Sequence, residues 1–229
     1  MSSKETTLQF YKDHAQDFVK GTLSADMSEA RQHFLQCLPE SARILDFGCG
    51  SGRDTKAFLD LGYQVDACDG SEELCRIASE VTGIPVRHMF FQDLNETDVY
   101  DGIWACASIL HLPKEELAAV LRKIADALKK KGMLYTSFKY GDFEGMRGGR
   151  YFTNFTEDTV KVLFDGVPAL QITELWITGD VRPGRGEERW INILARRSER
   201  SIRPITIRWI FRAVNYTDGR NVNSGICNI

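Results

Sequence analysis

No apolar run in the 229-residue chain approaches the roughly 20 residues that a helix needs to cross a bilayer. The opening stretch, MSSKETT, lacks the apolar core of a signal peptide. The six cysteines, at 37, 49, 68, 75, 106 and 227, form no C-x-x-C pair and no zinc-like spacing with the four histidines. Several lie in apolar strand-like runs, where a reduced thiol behaves as a small hydrophobe. These absences exclude a disulfide framework and an evident metal site, and point to a cytoplasmic protein with no membrane segment. Internal repeats and low-complexity blocks are missing too. Lysine is absent after Lys161, whereas ten arginines fall between Arg182 and Arg220, opposed there only by Glu187, Glu188, Glu199 and Asp218. The net charge of −3 argues against wholesale nucleic-acid binding, yet this basic third could serve a phosphate-bearing partner or simply solvate a strand face and a tail.

What is present is a regular alternation. Residues from Leu8 to Leu38 read as helix in two pieces, LQFYKDHAQDFV and SEARQHFLQCL, the second stopped by Pro39. From Arg43 onward short apolar runs alternate with amphipathic segments, the pattern of βαβ units on a parallel sheet. The strands are RILDF, YQVDACD, PVRHMFF, YDGIWACAS and MLYTSFK, followed by LQITELWIT and ERWINILAR. Only GDVRPGRG separates the last two, which predicts an antiparallel pair. Ser71 is placed to cap the helix after the second strand. The segment PKEELAAVLRKIADALKKKG is the clearest helix, with Pro113 in its first turn and Gly132 at its end. The fold class is α/β, with three regions: a helical segment over 1–40, the core over 41–197, and an Arg-rich extension over 198–229.

The stretch ILDFGCGSGRD, Ile44 to Asp54, places three glycines at alternate positions after the first strand. A strand, a glycine turn and a helix N-terminus present backbone N–H groups to a ligand. The dinucleotide pattern G-x-G-x-x-G would need its third glycine at position 53, which is Arg53, and Asp46 would repel a pyrophosphate. A carboxylate there suits a cationic ligand. Asp69, ending the second strand, has the spacing of a carboxylate that binds ribose hydroxyls.

In these motifs and their order the sequence resembles the class I S-adenosylmethionine-dependent methyltransferases, over roughly Leu8 to Arg197. The resemblance implies a Rossmann-like, doubly wound, seven-stranded sheet, mostly parallel, with a terminal antiparallel strand pair. It implies S-adenosyl-L-methionine as cofactor. By the first motif, Asp46, Gly48, Cys49 and Gly50 would seat that cofactor, and by the second Asp69, Gly70 and Ser71 would. Asp93 and Leu94 in FFQDL match the third motif, with Asp93 expected at the adenine amino group. YDGIWACASILHL matches the fourth, its middle around Ala105 running beneath the cofactor. Tyr11, Ala15 and Phe18 resemble the lid helix of small-molecule members, so that 1–40 would be a lid and Tyr11 a cofactor contact.

Methyl transfer to such a cofactor's acceptor is a direct displacement, which asks the protein mainly for alignment and exclusion of water. A general base is needed only for an acceptor that is protonated when bound. His111 is the candidate base, with a pocket-shaping role as the alternative. Lys139, Tyr140, Arg150 and Tyr151 follow the fifth strand, where this fold often builds its acceptor pocket. Asp180, Arg182 and Arg185 would bind an anionic acceptor or else form a salt-bridged turn. The Asn-Pro-Pro-Tyr motif of amino-group nucleic-acid and glutamine methyltransferases is missing, and so is the Pro-Cys of cytosine-C5 enzymes. The resulting expectation is a methyltransferase with a small-molecule acceptor. The alternatives are a tRNA or other nucleic-acid methyltransferase using the Arg-rich region, a non-catalytic cofactor-binding protein, and an NAD-dependent enzyme.

Overall fold

A computed structural model describes residues 2–182 and 184–199; most of the expected Arg-rich extension, including ITIRWIFR, lies outside the described residues. Seven strands form one sheet: β1 (Arg43–Phe47), β2 (Gln64–Asp69), β3 (Val86–His88), β4 (Tyr100–Ala105) and β5 (Leu128–Lys139), joined by the C-terminal β8 (Leu170–Gly179) and β9 (Arg189–Arg197). A two-stranded hairpin, β6 (Glu144–Arg147) and β7 (Arg150–Thr153), stands apart from it. The sheet order is β3-β2-β1-β4-β5-β9-β8, with β9 antiparallel to both neighbours and the rest parallel.

The helices are α1 (Ser3–Asp13), α2 (Ala15–Thr22), α3 (Ser28–Leu35), α4 (Arg53–Asp60), α5 (Glu72–Thr82), α6 (Lys114–Ala127) and α7 (Glu157–Asp165). Successive strand residues point to opposite faces, and two separate cores result. Leu45, Ile103, Leu134 and Ile193 pack with Leu117, Leu121, Ile124 and Val160 of α6 and α7. Their immediate successors or predecessors, Ile44, Trp104, Tyr135 and Leu194, pack with Phe34 of α3 and Phe58 of α4. The rings of Trp104 and Tyr135 stack in that second core with their centroids 3.9 Å apart.

Four local expectations are corrected. The N-terminal segment makes three helices, because the first piece breaks at His14, whose ring Nδ1 and backbone N–H both reach the Phe10 carbonyl. β3 is only three residues long. Helix α6 ends at Ala127, not Gly132: Leu128 turns extended and pairs with Tyr100. The lysine-rich stretch that follows becomes a bulged start of β5, since Lys129 Nζ bonds both carboxylate oxygens of Asp101 at 2.9 and 2.8 Å. The β6–β7 hairpin was not foreseen. Its signal was Gly148-Gly149, whose φ values of 56° and 77° suit the two-residue turn that hairpins favour.

Candidate functional site

The order of the strands reverses between β1 and β4, and ligands of open α/β sheets bind outside the carboxyl ends of strands at such a point. There a cavity of about 790 Å³ opens. Its floor is the turn after β1. Gly48, Gly50 and Gly52 all take positive φ (87°, 55° and 78°), a region open to glycine and costly for other residues. A Cβ on Gly48 would lie 2.5 Å from the Ser108 Cβ, and one on Gly50 would lie 3.0 Å from the Phe18 ring. The turn is pinned to β2: Gly48 and Cys49 both donate to the Cys68 carbonyl at 2.9 Å. Gly50 N–H donates to Asp69 Oδ2 and Ser71 N–H to Oδ1, both at 2.9 Å. Burial pushes the Asp69 carboxyl upward from its ordinary value, against those donated bonds.

Asp46 is buried at the cavity floor, 2% exposed, and accepts from Thr55 Oγ1 at 2.6 Å. Burial, reinforced by the neighbouring Asp54, raises it to about 7. Asp54 behaves differently. Burial opposes its charge, but Arg53 and Arg31 outweigh it and hold the carboxyl low. Arg31 Nη1 and Arg53 Nη2 lie 2.6 Å from its two oxygens, and Trp104 Nε1 donates at 2.9 Å. Asp46 has no ion-pair partner among the described residues and feels Arg53 only through an attraction weaker than the burial and the Asp54 repulsion that oppose it, so a positively charged group entering this end would relieve its burial. That is what the sulfonium and ammonium of S-adenosylmethionine would supply, and the residues present fit it.

The roof comes from the N-terminal helices and the hairpin. Lys4, Leu8 and Tyr11 of α1 and Phe18 of α2 line the cavity. Tyr11 Oη lies 2.8 Å from His111 Nε2, and His111 Nδ1 lies 2.6 Å from the Tyr151 carbonyl on β7. A carbonyl only accepts, so neutral His111 carries its proton on Nδ1 and Nε2 accepts from the Tyr11 hydroxyl. Burial lowers His111 to about 4, which keeps it neutral, and burial raises Tyr11.

Of the residues expected from sequence, Tyr11, Asp46, Gly48, Cys49, Gly50, Asp69, Gly70 and His111 meet on this one cavity. Ser71 does not line it; its hydroxyl caps α5 through Leu74 N–H. Leu94 and Ala105 are buried in the core beneath. Asp93 is exposed at the end of a short 3-10 turn, Phe91–Asp93, and the wall there is Met89, Phe90, Phe91 and Gln92. Sequence reasoning missed that wall, and also Trp176 and Trp190 on β8 and β9, whose aromatic rings read as ordinary strand residues.

A methyltransferase-domain family model matches residues 44–132, the span from β1 to the start of β5. The fold agrees with the 1,6-didemethyltoxoflavin-N1-methyltransferase of Burkholderia thailandensis, crystallised with 1,6-didemethyltoxoflavin and S-adenosylhomocysteine. The TM-score is 0.68 at 22% identity, over 86% of this chain and 87% of that one. Residues 44–132 thus carry a methyltransferase domain, on the fold of the S-adenosylmethionine-dependent methyltransferases. S-adenosylmethionine is the cofactor that this fold implies. By sequence it is 26% identical to an uncharacterized methyltransferase of Staphylococcus carnosus, over 66% of this chain and 80% of the relative. It is 33% identical to a ubiquinone biosynthesis O-methyltransferase of Xanthomonas axonopodis pv. citri, spanning 43% of this chain and 44% of that enzyme. The methyltransferase therefore shares with that enzyme less than half of its length.

Proposed function

We propose that this methyltransferase acts on a small-molecule acceptor, held between the glycine turn, the N-terminal helices and the β6–β7 hairpin. The observation that carries the reading is enclosure. Lys4, Tyr11 and Phe18 of the helical segment line the same cavity as Asp46, Asp69 and His111, leaving room for a compact ligand beside the donor. Two relatives are named for acting on 1,6-didemethyltoxoflavin and in ubiquinone biosynthesis, both small molecules. The fold has no helix, among the described residues, that is long and apolar enough to cross a membrane.

In this reading S-adenosylmethionine would supply an electrophilic methyl group on a sulfonium, to be taken by a lone pair of the acceptor while the C–S electron pair stays on the departing sulfur. Asp46 faces the cationic end, and Asp69 with Gly50 and Gly70 takes the ribose side. Segment 1–40 acts as a lid that excludes water. Tyr11 and His111 form a proton relay: the Tyr11 oxygen accepts a proton from the acceptor as its own passes to His111 Nε2. His111 is then the ultimate base, and its second nitrogen is already committed to the Tyr151 carbonyl.

The test is transfer of a labelled methyl from S-adenosylmethionine into a cell extract separated into small-molecule, RNA and protein fractions. Label in the small-molecule fraction, falling by about two orders of magnitude in Tyr11→Phe, as expected for loss of a general-base path, supports the reading. Label confined to RNA, with steep salt dependence, rejects it in favour of a nucleic-acid enzyme.

A further inference from the structure

The far end of the cavity is lined by cations, and the structure separates those that are spoken for from those that are not. Asp180 accepts from Arg182 Nε at 2.8 Å and from Trp190 Nε1 at 3.1 Å. Lys139 pairs with Glu188, whose other oxygen lies 3.6 Å from Arg185. The loop between β8 and β9 thus neutralises its own charges. Arg147 and Arg150 have no carboxylate partner among the described residues. They stand directly opposite each other across the hairpin turn, an arrangement in which like charges destabilise a strand pair.

Both guanidinium groups approach the Phe152 ring, at 5.7 and 5.2 Å, and the Lys139 ammonium reaches it at 5.8 Å. His111 meets the same ring at 4.9 Å. Stacking on Phe143 and Phe10 occupies the flat faces of the two arginines, and Arg150 also meets the Tyr11 hydroxyl through a side-chain hydrogen bond, which leaves its remaining in-plane donors and those of Arg147 for something else. Among the described residues, the buried Arg150 Nε has no hydrogen-bond partner, and neither has Trp176 Nε1, which lines the same cavity. A buried donor without a partner is costly. The crowding also reaches its neighbours: Arg150 and Lys139 add to burial in lowering His111, and Arg147 adds to burial and Arg182 in lowering Lys139 to about 8.

We propose that the acceptor carries an oxyanion, a carboxylate or a phosphate, seated between Arg147 and Arg150 at the edge of Phe152, with its methylated atom directed to the Tyr11–His111 pair. The inference rests on the small-molecule methyltransferase reading and adds the acceptor's charge. Two guanidinium groups present the planar, forked donors that oxyanions accept in pairs. The oxyanion is the anchor, and it survives the reaction because a different atom takes the methyl group. The cavity is then divided by sign, with a cationic donor against Asp46 and an anionic acceptor against the hairpin.

The experiment labels a small-molecule extract with the full chain and methyl-labelled S-adenosylmethionine, then runs the product on an anion exchanger at neutral pH. The labelled product is expected to be retained. Its release by phosphatase identifies a phosphate anchor, and continued retention a carboxylate. In Arg147→Met and Arg150→Met, labelling at limiting extract should fall at least about tenfold, the scale of a lost charged hydrogen bond, and recover as extract is raised. S-adenosylhomocysteine binding to both variants should match the parent, which shows that they fold. A labelled product that passes through uncharged or cationic, or variants that label like the parent, overturns the proposal. Failure of the parent to label any small molecule sinks the function reading instead, before a variant is made.

Discussion

At the scale of single residues, His111 has the most constrained environment in the cavity. One ring nitrogen is fixed by the Tyr151 carbonyl and the other by the Tyr11 hydroxyl, so protonation would place a second donor against an O–H and bring charge near Arg150. The consequence is a linkage between pH and stability. In the folded state His111 titrates at about 4 against 6.5 for the free side chain. Between those values the unfolded chain binds the extra proton, so its contribution to stability is complete above pH 6.5 and is lost as pH falls toward 4. At about 1.4 kcal/mol per pK unit, the loss amounts to no more than about 3.5 kcal/mol. Urea denaturation of the parent and His111→Gln between pH 4 and 8 measures it. The difference between the two curves should shrink on acidification across that window. A constant difference would mean that the histidine is as easily protonated folded as unfolded. Because His111 remains neutral, methyl transfer should show no loss of base near pH 6.5.

At the scale of elements, the contact that seats the helical segment is made through a missing side chain. Gly102 on β4 faces α3, where an added Cβ would lie 2.5 Å from Phe34 Cζ and 2.8 Å from Leu38 Cδ1. The same helix carries Arg31, which holds Asp54 at the cavity edge. Gly102→Ala should therefore cost about 1–3 kcal/mol, the usual range for overpacking, with faster proteolysis over 28–38. An alanine variant as stable as the parent would show that α3 is loosely seated. This contact was not legible in the sequence, because Gly102 sits inside an ordinary strand motif and its partner is 68 positions away, from 102 to 34. The parallel strands and the glycine turn were legible, since apolar period and turn chemistry are local. The hairpin β6–β7 was hidden by its length of four residues a strand. The start of β5 was hidden because lysines that favour a helix are held in a strand by Asp101, a distant carboxylate. At the site, the backbone and carboxylate groups of the first two motifs were readable from spacing. The Tyr11–His111 contact was not, since it depends on how separate elements meet, whereas the pairing of Arg182 with Asp180, two residues apart, is the salt-bridged turn that the sequence offered as one of two readings.

At the scale of the whole molecule, a net charge of −3 says little, because charge is sorted within the cavity. One end holds Asp46 and Asp69, both raised by burial, and the other holds the arginines of the hairpin. S-adenosylmethionine and S-adenosylhomocysteine differ by one methyl and one positive charge, so comparing their affinities isolates the Coulombic part of that sorting. Asp46 loses its proton at about 7 in the free protein. Below that pH it is mostly neutral and should distinguish the two ligands weakly. Above it, the carboxylate attracts the sulfonium and has no comparable gain from the thioether. The ratio of the two dissociation constants should therefore turn toward S-adenosylmethionine as pH rises from 6 to 8, with proton release on binding near neutrality, both readable by calorimetry. In Asp46→Asn the ratio should stay flat across the range while S-adenosylhomocysteine, which lacks the sulfonium charge, still binds. A parent ratio that is itself independent of pH would mean that the sulfonium does not face Asp46, and the donor would then have to lie the other way along the cavity.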